Sequence, residues 1–256
     1  MFEALLSISV LILLLMTFVF FVAQILQDNS IVDIVWGLGF VFIAVYTLTT
    51  FSHFEYRQVL ITTITMIWGL RLSAHILLRK KGQGEDFRYR NWRQQWGKYF
   101  PVKSYFYIFM FQGLLMLLVA LPIIVVNLSS SPEATFMDEA GLTLWCFGFV
   151  FEALADWQLA MFKKDPKNKG KIMNKGIWKW SRHPNYFGEI TMWWGIFIIA
   201  LSSINGIYSL ISPLLITNLI VFYSGIPLLE KKYAANTEYQ RYAKQTPVLL
   251  PKITAK

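Results

Sequence analysis

Ser181-Arg182-His183-Pro184-Asn185-Tyr186-Phe187-Gly188-Glu189, running on into Trp193-Trp194-Gly195, is where the most basic loop of this chain turns into an apolar segment. Arg182, Asn185, Tyr186 and Glu189 stand at i, i+3, i+4 and i+7, on one helical face. Proline is tolerated only in a first helical turn, so the spacing predicts a helix that starts at Pro184 and runs into the membrane. A cation, an amide, a phenol and a carboxylate then share one stripe entering lipid. Polar groups are costly there, and a function is the default expectation.

Outward from this stretch, the composition sets the class. Hydrophobic residues make up 55% of the chain, and apolar runs of about twenty residues recur, the length a helix needs to cross a bilayer. The sequence predicts an all-α integral membrane protein, a single domain built as a bundle of seven transmembrane helices. The spans fall at about 2–26, 31–51, 58–79, 104–127, 140–161, 184–203 and 207–229, followed by a tail over 230–256. Asp28-Asn29-Ser30 is so short that the first two spans form a tight antiparallel hairpin. Pro101, Pro122, Pro132, Gly141, Pro184 and Gly206 punctuate the ends, and Pro213 and Pro227 predict a kink in the last span. The first segment carries Glu3, lacks a basic flank and outruns the roughly 7–15 apolar residues of a leader peptide, so we read it as a true span. Cys146 is the lone cysteine and forms no intrachain disulfide.

The loops alternate in charge. Arg79, Lys80, Lys81, Arg88, Arg90, Arg93, Lys98 and Lys103 mark one connection. Lys163, Lys164, Lys167, Lys169, Lys171, Lys175, Lys179 and Arg182 mark the next on the same side, and Lys231, Lys232, Arg241, Lys244, Lys252 and Lys256 mark the tail. The opposite loop is acidic, with Glu133, Asp138 and Glu139. Lysine and arginine collect on the cytoplasmic side, which puts the N-terminus outside and the C-terminus in the cytoplasm. This rule accounts for the net charge of +9 without a nucleic-acid partner. Thr237 with Gln240 is a capping-box pattern that predicts a helix in the tail. Tyr89, Trp92, Trp96 and Tyr99, interleaved with arginines, predict an interfacial loop over 80–103.

Several polar groups fall where lipid should be. Glu152 and Asp156 are one turn apart, and Lys163 follows seven residues later on the same face. They form either an internal ion-pair network with the basic loops or an inward ligand-binding stripe, and the cost of burial favours the second. Arg71 lies one turn after Trp68 and one turn before His75, and an arginine this deep needs an anionic partner. Asp33 is either part of a helix cap with Ser30 or a site carboxylate. Glu85, Asp86, Arg88 and Tyr89, after Gly82 and Gly84, are either a solvated charged loop or part of a site. Three scattered histidines, His53, His75 and His183, predict no metal site. No dinucleotide fingerprint of the strand-to-helix type and no phosphate loop is present.

At these residues the chain resembles the integral-membrane steroid 5-alpha-reductase-like family, in its bacterial branch. Asn185-Tyr186-Phe187-Gly188-Glu189 matches the family's cofactor-binding helix. Asp156 matches a family aspartate, Glu152 falls where the reductases carry an asparagine, and Lys163 and Lys171 stand where phosphate-binding arginines are typical. Gln112-Gly113 and Arg71 also have counterparts. The resemblance implies NADPH held from the cytoplasmic side by Glu152, Asp156, Lys163, Lys171, Arg182, His183, Asn185, Tyr186, Glu189 and Glu230. It implies a lipophilic substrate reduced at a carbon–carbon double bond, with Asp33, Trp68 and Arg71 at the substrate end, in a monomeric protein of a bacterial cytoplasmic membrane. Trp68 occupies the position of the reductases' tyrosine, so the proton donor is left open. Arg182-His183-Pro184-x-Tyr186-x-Gly188 is shared with a sister group, the isoprenylcysteine and phospholipid methyltransferases, which use S-adenosylmethionine. A lipid methyltransferase and a non-enzymatic lipid-binding protein are the alternatives.

Overall fold

Inside hydrocarbon a backbone N–H or C=O finds no water, so a spanning segment must satisfy these groups within itself. The computed structural model of the chain describes residues 2–130 and 133–252, and among them every regular element is helical. Pro132 and Lys256, which entered the sequence reading, lie outside the described residues. The helical runs are α1 Phe2–Leu26, α2 Ile31–Phe51, α3 Tyr56–Lys80, α4 Phe87–Val119, α5 Leu121–Asn127, α6 Phe136–Lys164, α7 Pro184–Ala200, α8 Gly206–Tyr233 and α9 Thr237–Gln245. Six of them (α1, α2, α3, α4, α6 and α8) are long and apolar enough to cross a membrane. The expected span at 184–203 corresponds to α7, which at 17 residues is shorter than those six.

The fourth span differs most from expectation. Asp86 caps a helix at Phe87 by accepting from the Arg88 N–H, so much of the expected loop is helical and runs on into α4. A π turn interrupts α4 at Tyr105–Met110. Helix geometry is interrupted again at Ala120, where Pro122 in the first turn of α5 has no N–H to continue the ladder. The expected kink in the last span falls at a π turn over Leu219–Tyr223 and a bend at Ser224–Gly225, with Pro227 opening the final helical segment. In the tail, Asn236 rather than Thr237 is the cap: its side chain accepts from the Tyr239 N–H at 2.9 Å.

The chain divides into two compact units, Met1–Ala134 with Ser203–Ser209, and Thr135–Ser202 with Leu210–Lys256. In the first unit α2 and α3 approach through glycines. A Cβ on Gly69 would lie 2.6 Å from the Gly37 carbonyl oxygen, and Ser73 donates to the Ile34 carbonyl at 2.7 Å. Gly113 of α4 lies against Ile12 and Met16 of α1. At one end Asn127 donates to Ala44, Thr47 and Thr62, tying α5 to α2 and α3.

In the second unit α6 and α7 pack antiparallel along two glycine pairs. A Cβ on Gly141 would lie 2.6 Å from the Gly195 oxygen, and one on Gly148 would lie 2.6 Å from the Gly188 oxygen. Each helix presents its two glycines seven residues apart, two turns along one face, so the backbones meet twice.

A glutamate that gathers the start of α7

Where the polar stripe enters α7, the second unit builds a charged cluster. His183 is the N-cap of α7, and Pro184 occupies the first turn. Glu230, in the last helical segment of α8, accepts from the Arg182 guanidinium at 2.6 Å, from His183 Nε2 at 2.9 Å and from the Tyr239 hydroxyl at 2.5 Å. Arg182, His183 and Glu230, all expected at the cofactor site, are brought together. The Arg182 side chain is only 11% exposed, and its Nε is buried with no hydrogen-bond partner among the described residues. The Tyr186 ring stacks on His183 at 5.6 Å.

The tail holds this cluster from outside. Arg182 N–H donates to Pro247, Lys252 N–H to Trp180, and the Ser181 hydroxyl to Leu249. The Tyr242 hydroxyl bonds the carbonyls of Trp178 and Ser181. Sequence reasoning predicted a helix in the tail and missed that its Tyr239 is a ligand of Glu230. Burial, then the Glu230 carboxylate, pushes the Tyr239 phenol well above the ordinary tyrosine range.

Burial also pushes the His183 imidazole below its ordinary value, against the pull of Glu230, so neutral His183 donates to the carboxylate. The sign of the linkage follows. Below an ordinary histidine pKa of about 6.5 the unfolded chain takes up a proton that the folded chain resists. Stability contributed here is full above that value and falls as the pH drops through it. Thermal unfolding in detergent should therefore show a melting temperature that declines from pH 7 towards pH 5, and His183→Gln should flatten that decline.

The other expected cofactor residues are placed as follows. Glu152 and Asp156 are 2% and 7% exposed on α6. Glu152 lies against α7: a Cβ on Gly188 would meet its N–H and its Cβ at 2.6 and 2.8 Å. Asn185, Tyr186 and Glu189 are half-buried in the first turns of α7, and Lys163 and Lys171 are exposed.

In the first unit Asp33 is neither a cap nor a bare carboxylate. The Ser30 N-cap makes no side-chain cap bond; its hydroxyl instead donates to Asp28 and accepts from Lys80. Asp33 accepts from the Arg88 guanidinium at 2.6 Å and from the Tyr89 hydroxyl at 2.7 Å. Arg88 and Tyr89, for which a solvated loop was one of two readings, are thus its partners, and Tyr89 is 2% exposed. A lone carboxylate opening a span was the signal that a cation and a donor had to be found for it. Trp68 is buried and packs edge-on against Phe40, while Arg71 is half-buried one turn on. Tyr89→Phe should remove one buried hydrogen bond while leaving the Arg88 ion pair, costing about 1 kcal/mol in a thermal unfolding series.

Residues 19–246, which take in both clusters, match the model of a family described as "Protein of unknown function (DUF1295)". The chain belongs to the DUF1295 family. An uncharacterised protein of Schizosaccharomyces pombe is 31% identical to this DUF1295 chain over 165 residues, 56% of the chain and 48% of that protein. The chain thus matches about half the length of that relative. No solved structure matches.

Proposed function

We propose that this chain is a seven-span membrane reductase that uses NADPH to saturate a carbon–carbon double bond in a lipophilic, steroid-like or isoprenoid-like substrate. The carrying observation is the cluster at the start of α7: Glu230 gathers Arg182 and His183 beside a helix packed against the buried carboxylates of α6. The family is one commonly associated with steroid 5-alpha-reductase-like proteins. On this reading α7 joins the six longer helices as the sixth span in chain order, and the alternation of basic and acidic loops supports an external N-terminus and a cytoplasmic C-terminus.

The donor set fits a phosphate-bearing dinucleotide. Arg182 keeps a buried N–H without an acceptor among the described residues, and Lys163 and Lys171 are exposed cations. Glu152 and Asp156 are carboxylates able to accept from an amide or a ribose hydroxyl, and Asn185, Tyr186 and Glu189 flank them along α7. When bound, NADPH supplies a hydride to one alkene carbon while a proton reaches its neighbour, leaving NADP⁺ and the saturated product. The chain's own task is to hold, orient and protonate. Asp33, Trp68 and Arg71 serve the substrate end, and we add Tyr89, whose phenol can offer the proton that the Trp68 indole cannot.

The test is the thermal shift of the purified protein. NADPH should raise the melting temperature, and Asp156→Asn should reduce the rise. A rise with S-adenosylmethionine alone would move the chain to the methyltransferase reading, whose Arg182-His183-Pro184-x-Tyr186-x-Gly188 motif it shares. No shift with either ligand would leave a lipid-binding protein.

A further inference from the structure

Around the α1–α2 turn, the acids of the first unit are matched but not all of the bases are. Asp28 pairs with Lys80 at 2.5 Å, Asp33 and Asp86 with Arg88 at 2.6 and 2.9 Å, and Glu85 with Arg93 at 2.8 Å. Arg90, Lys98 and Lys103 are left with no carboxylate partner among the described residues; Arg90 donates to the Glu85 backbone carbonyl at 3.1 Å.

The three cations share their stretch with aromatic rings, of which Trp92 and Tyr99 are exposed, Trp96 is half-buried and Phe100 is buried. Trp92 and Trp96 stack with planes 5° apart and centroids 5.6 Å apart, and Trp96 also meets Phe100 and Tyr107. The Lys103 ammonium lies 5.9 Å from the Trp96 ring and that of Lys98 lies 5.2 Å from the Tyr99 ring. Tyr99 and Tyr107 are 59% and 69% exposed. Solvated lysines need no such setting. Large rings at a helix end are stable where one side is apolar and the other wet, the level of lipid headgroups. Cations fixed beside them lack only an anion, and the anion available at that level is a lipid phosphate.

We propose that Phe87–Lys103 is a docking surface for anionic phospholipid. Lys98 and Lys103, each held against a ring, and the exposed Arg90 meet lipid phosphates, and the stacked indoles lie beside the glycerol backbone. The surface is independent of the reductase reading.

The test reconstitutes delipidated full-length protein in nanodiscs of phosphatidylcholine mixed with phosphatidylglycerol, and measures retained lipid by native mass spectrometry. The wild type should retain phosphatidylglycerol over phosphatidylcholine by about tenfold. The combined variant Arg90→Gln, Lys98→Gln, Lys103→Gln should lose that preference. Neutralising Lys167, Lys169 and Lys175 in the second unit should leave it intact. No preference in the wild type, or equal loss in both variants, would overturn the proposal in favour of diffuse charge. A headgroup-photoactivatable phosphatidylglycerol gives a reading on the wild type alone. Its labels should map within Phe87–Lys103, and labelling concentrated elsewhere would overturn the proposal.

Discussion

Leucine at position 188 should prevent α6 and α7 from packing. A Cβ on Gly188 would sit 2.6 Å from the Glu152 backbone nitrogen and 2.6 Å from the Gly148 carbonyl oxygen, distances that real Cβ atoms do not adopt. The obstacles are backbone, so no rotamer change relieves them. The helices must separate, which opens the adjacent Gly148 contact and pulls Glu152 from the start of α7. Overpacking a core costs about 1–3 kcal/mol when side chains can yield. Here they cannot, and we expect about 3 kcal/mol or more, enough to remove the folded monodisperse species in size-exclusion chromatography and thermal unfolding. Gly84→Ala is the control: its Cβ would meet nothing within 4 Å, and the change should stay within about 0.5 kcal/mol. Wild-type unfolding behaviour in Gly188→Leu would refute the backbone contact.

Glu230→Ala should be the most damaging single change at the charged cluster. It strips the acceptor from Arg182, His183 and Tyr239 at once. The Arg182 guanidinium, already holding one unpartnered buried N–H, is left as an uncompensated charge. Breaking a fully buried pair costs about 3–5 kcal/mol. Glu230 is 29% exposed, so water recovers part of this and about 2–3 kcal/mol is expected. Glu230→Gln should be milder, since an amide oxygen still accepts from the histidine. Equal melting temperatures for the alanine variant and the wild type would show that the cluster carries no stability.

The helical membrane class was readable because apolar runs of spanning length leave the backbone no other solution. Less readable were the places where polarity and helix coincide. Residues 87–103 are too polar to read as a span yet helical, because Asp86 caps them and they run on into the apolar part of α4. The glycine pairs of α6 and α7 went unread: inside an apolar span a glycine looks neutral until its partner on another helix is known. Arg182, His183 and Glu230 were all picked out, two from one motif and one from the tail. Their mutual bonding was not, since a stretch of 47 residues separates His183 from Glu230. Asp33 was recognised as unusual, but its partners were taken for loop residues, because nothing local in Arg88-Tyr89 points back across the α1–α2 turn.

The π turn at Tyr105–Met110 has a rotational consequence. A residue added to an α-helix turns everything beyond it by about 100°, and a π turn is how a helix carries such an extra residue. The aromatic stretch before the turn and the Gly113 face after it are therefore phased separately, each to its own surroundings. Deleting one residue within Tyr105–Met110 would leave an unbroken α-helix of good geometry. It would also swing Gly113 away from Ile12 and Met16 and put a bulkier neighbour in its place. In this helix the register is set by an insertion, and a gap placed there in comparing related chains would mark a change of facing rather than a lost turn.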